Sequence, residues 1–464
     1  MEPLSAQALL TLLQSEGISA SLPHNAVPWT ADSVCIDSRK ARKGALFVPL
    51  PGIHVDGHDF IEKALAAGAS GFLADHGRTV PCSEKAIFVE DTKEALFHLA
   101  VAYRKTLRLS MVSVTGSVGK TTTKDFIADI LETSYTVGKT EGNYNNELGL
   151  PLTLLNLDKS HTAAVTELGM SALGEIERLS LAAKPDIGVI THIGTAHMEH
   201  LGSRKNIAKA KLEIAASMQE GAPLVVNGLE PLLLNRPETK HLRVLPVGPE
   251  GSFLWAKDIV QDIAGTHFTV CGAASFSVFL PIPGLHNVQN ALLAIAVGLL
   301  LAISPEKMVS ALQNAVPAAM RQRLYQTGGV TILEDCYNAS PDSMEAALDV
   351  LKDLPGRRFA VLGDMLELGA HTEQTHRALG RKASETADVL VACGESMQFA
   401  VEEAKWAGCQ ALHVTKPEAA EYLAGQVSPG DSVLFKGSRG MRMEEVLDDF
   451  LRKAGLTREK REAH

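Results

Sequence analysis

Gly116, Ser117, Val118, Gly119, Lys120 and Thr121 run consecutively between a strand-like stretch, 111–114, and an amphipathic stretch that opens with Thr122. Gly116 and Gly119 let backbone N–H groups converge on a phosphate at a helix N-terminus, Lys120 adds a point charge, and the Thr121 hydroxyl can ligate Mg²⁺. Val114 stands where the commoner, longer loop has its first glycine, so the shortened loop points away from the most abundant GTPases and kinases.

Two more groups follow the next apolar runs. Glu167 closes the run that starts at 163, and His197 ends Thr191-His-Ile-Gly-Thr-Ala-His197, just after the run 187–190. In an open parallel sheet the carboxyl ends of the strands form one crevice, which brings both beside the phosphate loop as metal ligands. Alone, each would read as a solvated or packing residue. In the helical stretch 206–218, a step of about 100° per residue puts Ile207, Ile214, Ala215 and Met218 on one face with Lys211 near its centre, and Lys209 and Glu213 opposite. A cation there is costly unless neutralised or modified; the alternative is a lysine that snorkels to the helix edge.

These side chains need a scaffold, and the pattern supplies one. Strand-like runs at 111–114, 163–165 and 187–190 alternate with helical runs at 126–131, 176–181 and 207–218, which predicts a parallel sheet covered by helices. Ahead of it, short strands and helices with a turn-rich stretch at 49–58 predict a small α/β domain. Within the central domain, β-rich runs at 253–255, 268–270 and 276–280 read as an antiparallel insert, closed by a helix over 288–301. After Val316-Pro317 a second series, 330–333, 359–362, 389–392, 412–414 and 433–435, has a dinucleotide-fold pattern. The fold class expected is α/β in three domains: a small N-terminal α/β domain at 1–107, a central P-loop parallel-sheet domain with a β insert at 108–317, and a dinucleotide-fold-like C-terminal domain at 318–464.

The 464 residues, 45% hydrophobic, suit about three domains at roughly 150 residues each. Lys+Arg 44 against Asp+Glu 54 gives a net charge of −10, which opposes a surface that attracts nucleic acid or anionic lipid. Six cysteines without a Cys-x-x-Cys pair read as reduced core thiols. Leu4, Ala8, Leu9, Leu12 and Leu13 at helical spacing, with no basic segment before them, read as a folded helix and not a signal peptide. The longest apolar run, 291–303, is short of the roughly 20 residues a membrane span needs, so a soluble cytoplasmic protein is expected.

Over essentially its whole length the chain resembles the Mur ligases. Gly116-Ser-Val-Gly-Lys-Thr-Thr-Thr is similar to the family P-loop, Gly142-Asn-Tyr-Asn-Asn-Glu-Leu-Gly to the segment that follows it, and Glu167-Leu-Gly to the acidic Mg²⁺ motif. Residues 191–203 resemble the histidine segment, with His192 where Asn is usual. Gly284-Leu-His-Asn-Val-Gln-Asn290 resembles the motif whose asparagines approach adenine, Met320-Arg321 the arginine segment, and 335–344 the ATP-contacting motif, with Ser340 in place of Asn. Asp37-Ser-Arg39 and Asp56-Gly-His58 resemble the UDP-substrate segments, though each alone is a common turn.

The resemblance implies ATP and Mg²⁺ as cofactors and an amide ligation through an acyl phosphate. It implies catalytic roles for Lys120, Glu167, His197 and Lys211, and metal ligation by Thr121, Glu167, His197 and Lys211, the lysine in N-carbamoylated form. Nucleotide would be held by residues 116–122 with Asn287, Asn290, Arg321 and Asp335, and substrate by Ser38, Arg39, Asp56, His58, Asn143, Asn145 and Asn146. The segments 335–344 and 436–444, and the absence of an Asp-Asn-Pro-Arg motif, favour the branch that adds D-alanyl-D-alanine to a UDP-N-acetylmuramoyl tripeptide, here as a monomer. Gly363-Asp-Met-Leu-Glu-Leu-Gly369 with His376 also fits that branch, with no role assigned to its residues. Two alternatives stand beside it: a folylpolyglutamate synthase-type ligase, which lacks a UDP-binding first domain, and a nucleotide switch that does not ligate.

Overall fold

The computed structural model describes residues 1–52 and 54–458. Its central sheet has nine strands in the order Phe276–Leu280, Gly265–Gly272, Leu254–Asp262, Arg243–Gly248, Pro223–Asn227, Ile187–Ile190, Ser110–Thr115, Ala163–Glu167, Val137–Lys139. The three strands that carry the phosphate loop, Glu167 and the histidine segment are therefore adjacent and parallel. The β-rich runs 253–255, 268–270 and 276–280 pair antiparallel, as expected, and they do so as the edge of the central sheet itself. Arg243–Gly248 and Leu254–Asp262 continue the sheet in parallel, and only the last two strands turn antiparallel. Val247, Leu254, Phe268, Val270, Val278 and Leu280 share one buried cluster with helix Leu285–Leu300, and burying that apolar face against the common helix layer is what fuses the runs to the sheet. The helix over 288–301 does not close this layer either: a further helix, Pro305–Gln313, buries Met308 and Leu312 in the same cluster.

The stretch 206–218 is an α-helix only over Arg204–Leu212 and continues as a 3₁₀ turn, Glu213–Ser217. Ile207, Ile214, Ala215 and Met218 are nonetheless all buried, as the wheel required.

The C-terminal sheet runs Arg323–Thr327, Val330–Asp335, Ser432–Lys436, Arg358–Gly363, Val389–Cys393, Gln410–His413, with five parallel strands and an antiparallel edge. The edge strand Arg323–Thr327 was not anticipated, although Gly328-Gly329, both at positive φ, is a hairpin signal that marks it. Asp335 and Lys436 are register partners at the carboxyl ends of neighbouring strands.

The N-terminal sheet, Ala20–Ser21, Ala86–Val89, Gly71–Asp75, Ala45–Phe47, Ser33–Cys35, carries helices Ala6–Ser15 and Thr92–Arg104. Its core does not end at the first domain. Leu9, Leu13, Leu96 and Leu99 belong to the same buried cluster as Leu150, Leu154, Ile176 and Leu179 of the central domain, whereas the C-terminal sheet has two clusters of its own. The thiols are free, and the reading of all six as core is corrected: Cys336 and Cys393 are buried, but Cys82 is exposed in a left-handed turn.

Candidate active site

The strand Ser110–Thr115 ends in a loop in which two glycines are sterically obligatory. Gly116 has φ +150, and a Cβ there would lie 1.9 Å from Thr191 Oγ1. Gly119 has φ +84, and a Cβ would lie 2.5 Å from Asn290 Oδ1. Without side chains the loop lies tight against both neighbours, and helix Lys120–Glu132 starts facing a cleft of about 490 Å³.

Lys120 Nζ donates to Gly116 O at 2.8 Å and to Ser117 O at 3.3 Å. Burial pushes its pKa down, with Glu167 opposing and Arg321 adding to the effect. The Thr121 hydroxyl donates to Glu167 Oε2 at 2.8 Å, and Asn145 Nδ2 donates to Glu167 Oε1 at 2.8 Å. Ser117, Val118, Thr122 and Asn143 line the same cleft. Asn146 also borders it, but its Oδ1 accepts from the backbone of Leu148 and Gly149 and so builds the turn.

His197 lies at the cleft with a left-handed backbone, φ +62. Its buried Nδ1 has Glu367 Oε2 at 3.1 Å, misaligned for a hydrogen bond. Burial and then Lys211 hold its pKa below the ordinary histidine range, against the pull of Glu367. Lys211 is 1% exposed, which removes the snorkelling alternative, and it lies within electrostatic reach of Lys120 and Glu167. Burial drives its pKa well below the ordinary lysine range; Lys120 adds to this, and Glu167, Glu175 and Glu213 oppose it.

A hydroxyl and a carboxylate that converge, with an unbonded ring nitrogen nearby, are a donor set that fits a hard divalent cation. Among the described residues no three His, Cys, Asp or Glu side chains form a cage, so such an ion needs oxygens from a phosphate to complete its shell.

The far wall comes from the C-terminal domain. Arg321 stacks 4.0 Å from the Tyr337 ring centroid. Asp335 Oδ2 is 2.5 Å from Lys436 Nζ, a buried pair, and its Oδ1 accepts from Gln322 N at 3.2 Å. Asn287 Nδ2 donates to Pro283 O and to Gln322 Oε1, both at 2.8 Å, while Asn290 Oδ1 accepts from Thr123 Oγ1 at 3.2 Å, so these asparagines join the P-loop helix to the next domain. Sequence reasoning missed Gln322, which the arginine beside it could have flagged. It gave Lys436 only as part of a segment.

The first-domain residues are not brought into the cleft. Arg39 folds back on Asp37, with Nη2 to Oδ2 2.8 Å, beside a buried Ser38. Asp56 Oδ1 accepts from His58 N at 3.0 Å and faces His58 Nδ1 at 2.8 Å, and Arg78 closes on Asp56 at 2.7 Å. Asp56 and His58 are engaged in holding their own loop, the common-turn alternative.

A model described as the Mur ligase family, catalytic domain, matches residues 30–104, the Mur ligase middle domain matches 114–298, and the Mur ligase glutamate ligase domain matches 320–439. The UDP-N-acetylmuramoyl-tripeptide–D-alanyl-D-alanine ligase of Bacillus subtilis (strain 168) is 42% identical over 426 residues, 90% of this chain and 93% of the relative. A crystal structure of MurF from Acinetobacter baumannii superposes with a TM-score of 0.89 at 33% identity, covering 97% of this chain and 99% of that one. MurF ligase from Thermotoga maritima, solved in complex with ADP, gives 0.81 at 31% identity over 91% of this chain and 98% of its own. Similarity of this extent sets aside the folylpolyglutamate and switch alternatives. The chain therefore belongs to the Mur ligase family of ATP-dependent ligases, in the branch of the UDP-N-acetylmuramoyl-tripeptide–D-alanyl-D-alanine ligases.

Proposed function

We propose that the chain joins D-alanyl-D-alanine to a UDP-N-acetylmuramoyl tripeptide in cytoplasmic peptidoglycan precursor synthesis, working as a monomer with domains at 1–107, 108–317 and 318–464. The observation that carries this reading is the Thr121–Glu167 hydrogen bond beside Lys120, in a cleft whose other wall holds Arg321 and Asp335. Among the described residues no helix is long and apolar enough to cross a membrane.

The terminal carboxylate of the tripeptide attacks the γ-phosphorus of ATP and ADP leaves. The dipeptide ammonium loses a proton to solvent, the neutral amine adds to the acyl carbon, and a second proton leaves to solvent as phosphate departs with the C–O electron pair and the amide remains. Carboxylate and triphosphate repel each other, and Lys120 with Arg321 offsets that repulsion in a cleft partly closed to water. Thr121 and Glu167 would hold Mg²⁺, with His197 and carbamoylated Lys211 as further ligands; bound there, the ion neutralises phosphate charge. Lys211 suits carbamoylation because burial favours its neutral amine, the form that adds CO₂; the step releases one proton to solvent and leaves a carboxylate on the side chain. Asn287 and Asn290, beside Gly119, border the adenine site. Ser38 and Arg39 serve the substrate, as do Asn143, Asn145 and Asn146 on the central domain, while Asp56 and His58 support it through their loop.

The test is phosphate release with ATP, the tripeptide and the dipeptide, each omitted in turn. Release should require all three, and equal turnover with a folate and L-glutamate would overturn the reading.

A further inference from the structure

The ligation chemistry gives no role to Gly363-Asp-Met-Leu-Glu-Leu-Gly369 or to His376. This segment leaves the carboxyl end of strand Arg358–Gly363, and three consecutive residues pin it from below. Asp364 Oδ1 accepts from Met397 N at 2.9 Å, and its carbonyl accepts from Ser438 N at 3.1 Å. Met365 N donates at 3.2 Å to Nε2 of His376, which is fully buried and whose Nδ1 lies 2.8 Å from Thr372 O. Leu366 N donates to Ser438 Oγ at 2.9 Å. The next residue, Glu367, turns through φ +63 and lines the cleft with its side chain 59% exposed. A loop held by buried partners presents its carboxylate at a fixed place.

The charges around that carboxylate are uneven. Among the described residues four carboxylates line the cleft. Both oxygens of Glu167 accept hydrogen bonds, Asp335 is taken by Lys436 and Gln322 N, and Glu175 Oε2 accepts from Ser171 N at 2.7 Å. Among the described residues Glu367 has one polar neighbour, His197 Nδ1 at 3.1 Å and off the line of a good hydrogen bond. Lys120, Arg321, Lys436 and Arg439 also line the cleft, which suits anions, yet an amine acceptor arrives as a cation. We propose that Glu367 is the docking carboxylate for the α-ammonium of the acceptor, holding its nitrogen beside His197 and the phosphate loop once the two domains meet. The proposal rests on the ligase reading above and adds where the acceptor binds and what selects it.

The test uses the full chain, with wild-type turnover of tripeptide and D-alanyl-D-alanine as its baseline. Glu367→Gln keeps the shape and removes the charge. It should raise KM for the dipeptide roughly 10-fold to 100-fold while KM for ATP stays within about two-fold, and Glu367→Asp should recover part of the loss. D-lactoyl-D-alanine, with a hydroxyl in place of the ammonium, serves as competitor: wild type should bind it at least about tenfold more weakly than the dipeptide, and Glu367→Gln should bind the two alike. An unchanged dipeptide KM overturns the proposal. So does an equal loss for both compounds, which would mean that Glu367 only shapes the loop. No turnover by wild type with this substrate pair is a different result, the failure of the ligase reading itself.

Discussion

Asp342 Oδ2 accepts a hydrogen bond from Thr195 N at 3.1 Å and another from Thr195 Oγ1 at 3.3 Å, tying the first turn of helix Pro341–Lys352 in the C-terminal domain to the histidine segment of the central one. His192 Nε2 lies 3.4 Å from Oδ1, so the residue that departs from the usual Asn joins a contact between domains. Gly194 is required beneath it, since a Cβ there would lie 2.3 Å from Oδ2. Burial works to raise the Asp342 pKa, but the bonds from His192 and Thr195 outweigh it and hold the group at about 2.

Asp342→Asn should therefore weaken closure by about 2 kcal/mol near neutral pH and lower kcat/KM for ATP by up to roughly 30-fold. The ionised carboxylate is the form that closure stabilises. Its contribution is complete above the ordinary value of 3.8 and is lost as pH falls towards about 2. The difference in radius of gyration between wild type and variant, measured by small-angle scattering with ADP, should be present at pH 5 and shrink by pH 3.

Lys120→Ala should cut kcat roughly 100-fold to 1,000-fold by withdrawing charge from the transferring phosphoryl group, with the fold intact by circular dichroism. Unchanged turnover would take the P-loop out of the mechanism.

Gly119→Ala forces a Cβ into left-handed backbone 2.5 Å from Asn290 Oδ1. Calorimetry should show ADP affinity reduced at least about tenfold. Because the clash is with the end of a side chain, adding Asn290→Ala should relieve part of it, leaving the backbone strain.

Lys211→Ala should lose most turnover and keep ATP binding, and acetate should restore part of the rate by supplying the missing carboxylate. Mass spectrometry and crystal density under bicarbonate should show the CO₂ adduct on the wild type. Near-normal turnover of the alanine variant would exclude a carbamate role.

Residues 1–316 expressed alone should fold, bind nucleotide weakly and fail to ligate, because the C-terminal sheet has its own clusters and takes Arg321 and Asp335 with it. Residues 108–316 alone should be less stable than 1–316, since removing Leu9, Leu13, Leu96 and Leu99 strips the partners of Leu150, Leu154, Ile176 and Leu179. Thermal melts of the two fragments check this.

Much of the site is written locally. The phosphate loop is one unbroken run of residues, and Glu167 and His197 follow apolar runs short enough to be strands, so the strand-end rule places both beside it. Lys211 was legible because helical periodicity puts a charge among apolar neighbours, and it is buried even though the helix tightens to 3₁₀ just beyond it. Periodicity also marked the five parallel strands of the C-terminal sheet. It could not say that Ser432–Lys436 inserts between Val330–Asp335 and Arg358–Gly363, which is what pairs Lys436 with Asp335. Nor could it show that the runs after 236 complete the central sheet, that the first domain shares its core with the second, or that Asp56 and His58 are turned on their own loop. Those outcomes depend on strand order and on which apolar faces meet, and both are settled by contacts between residues far apart in the chain. Glu367 shows the divide most clearly. Its loop is held by His376, Met397 and Ser438, residues distant in the chain, and only the docking of one domain on another brings its carboxylate to His197.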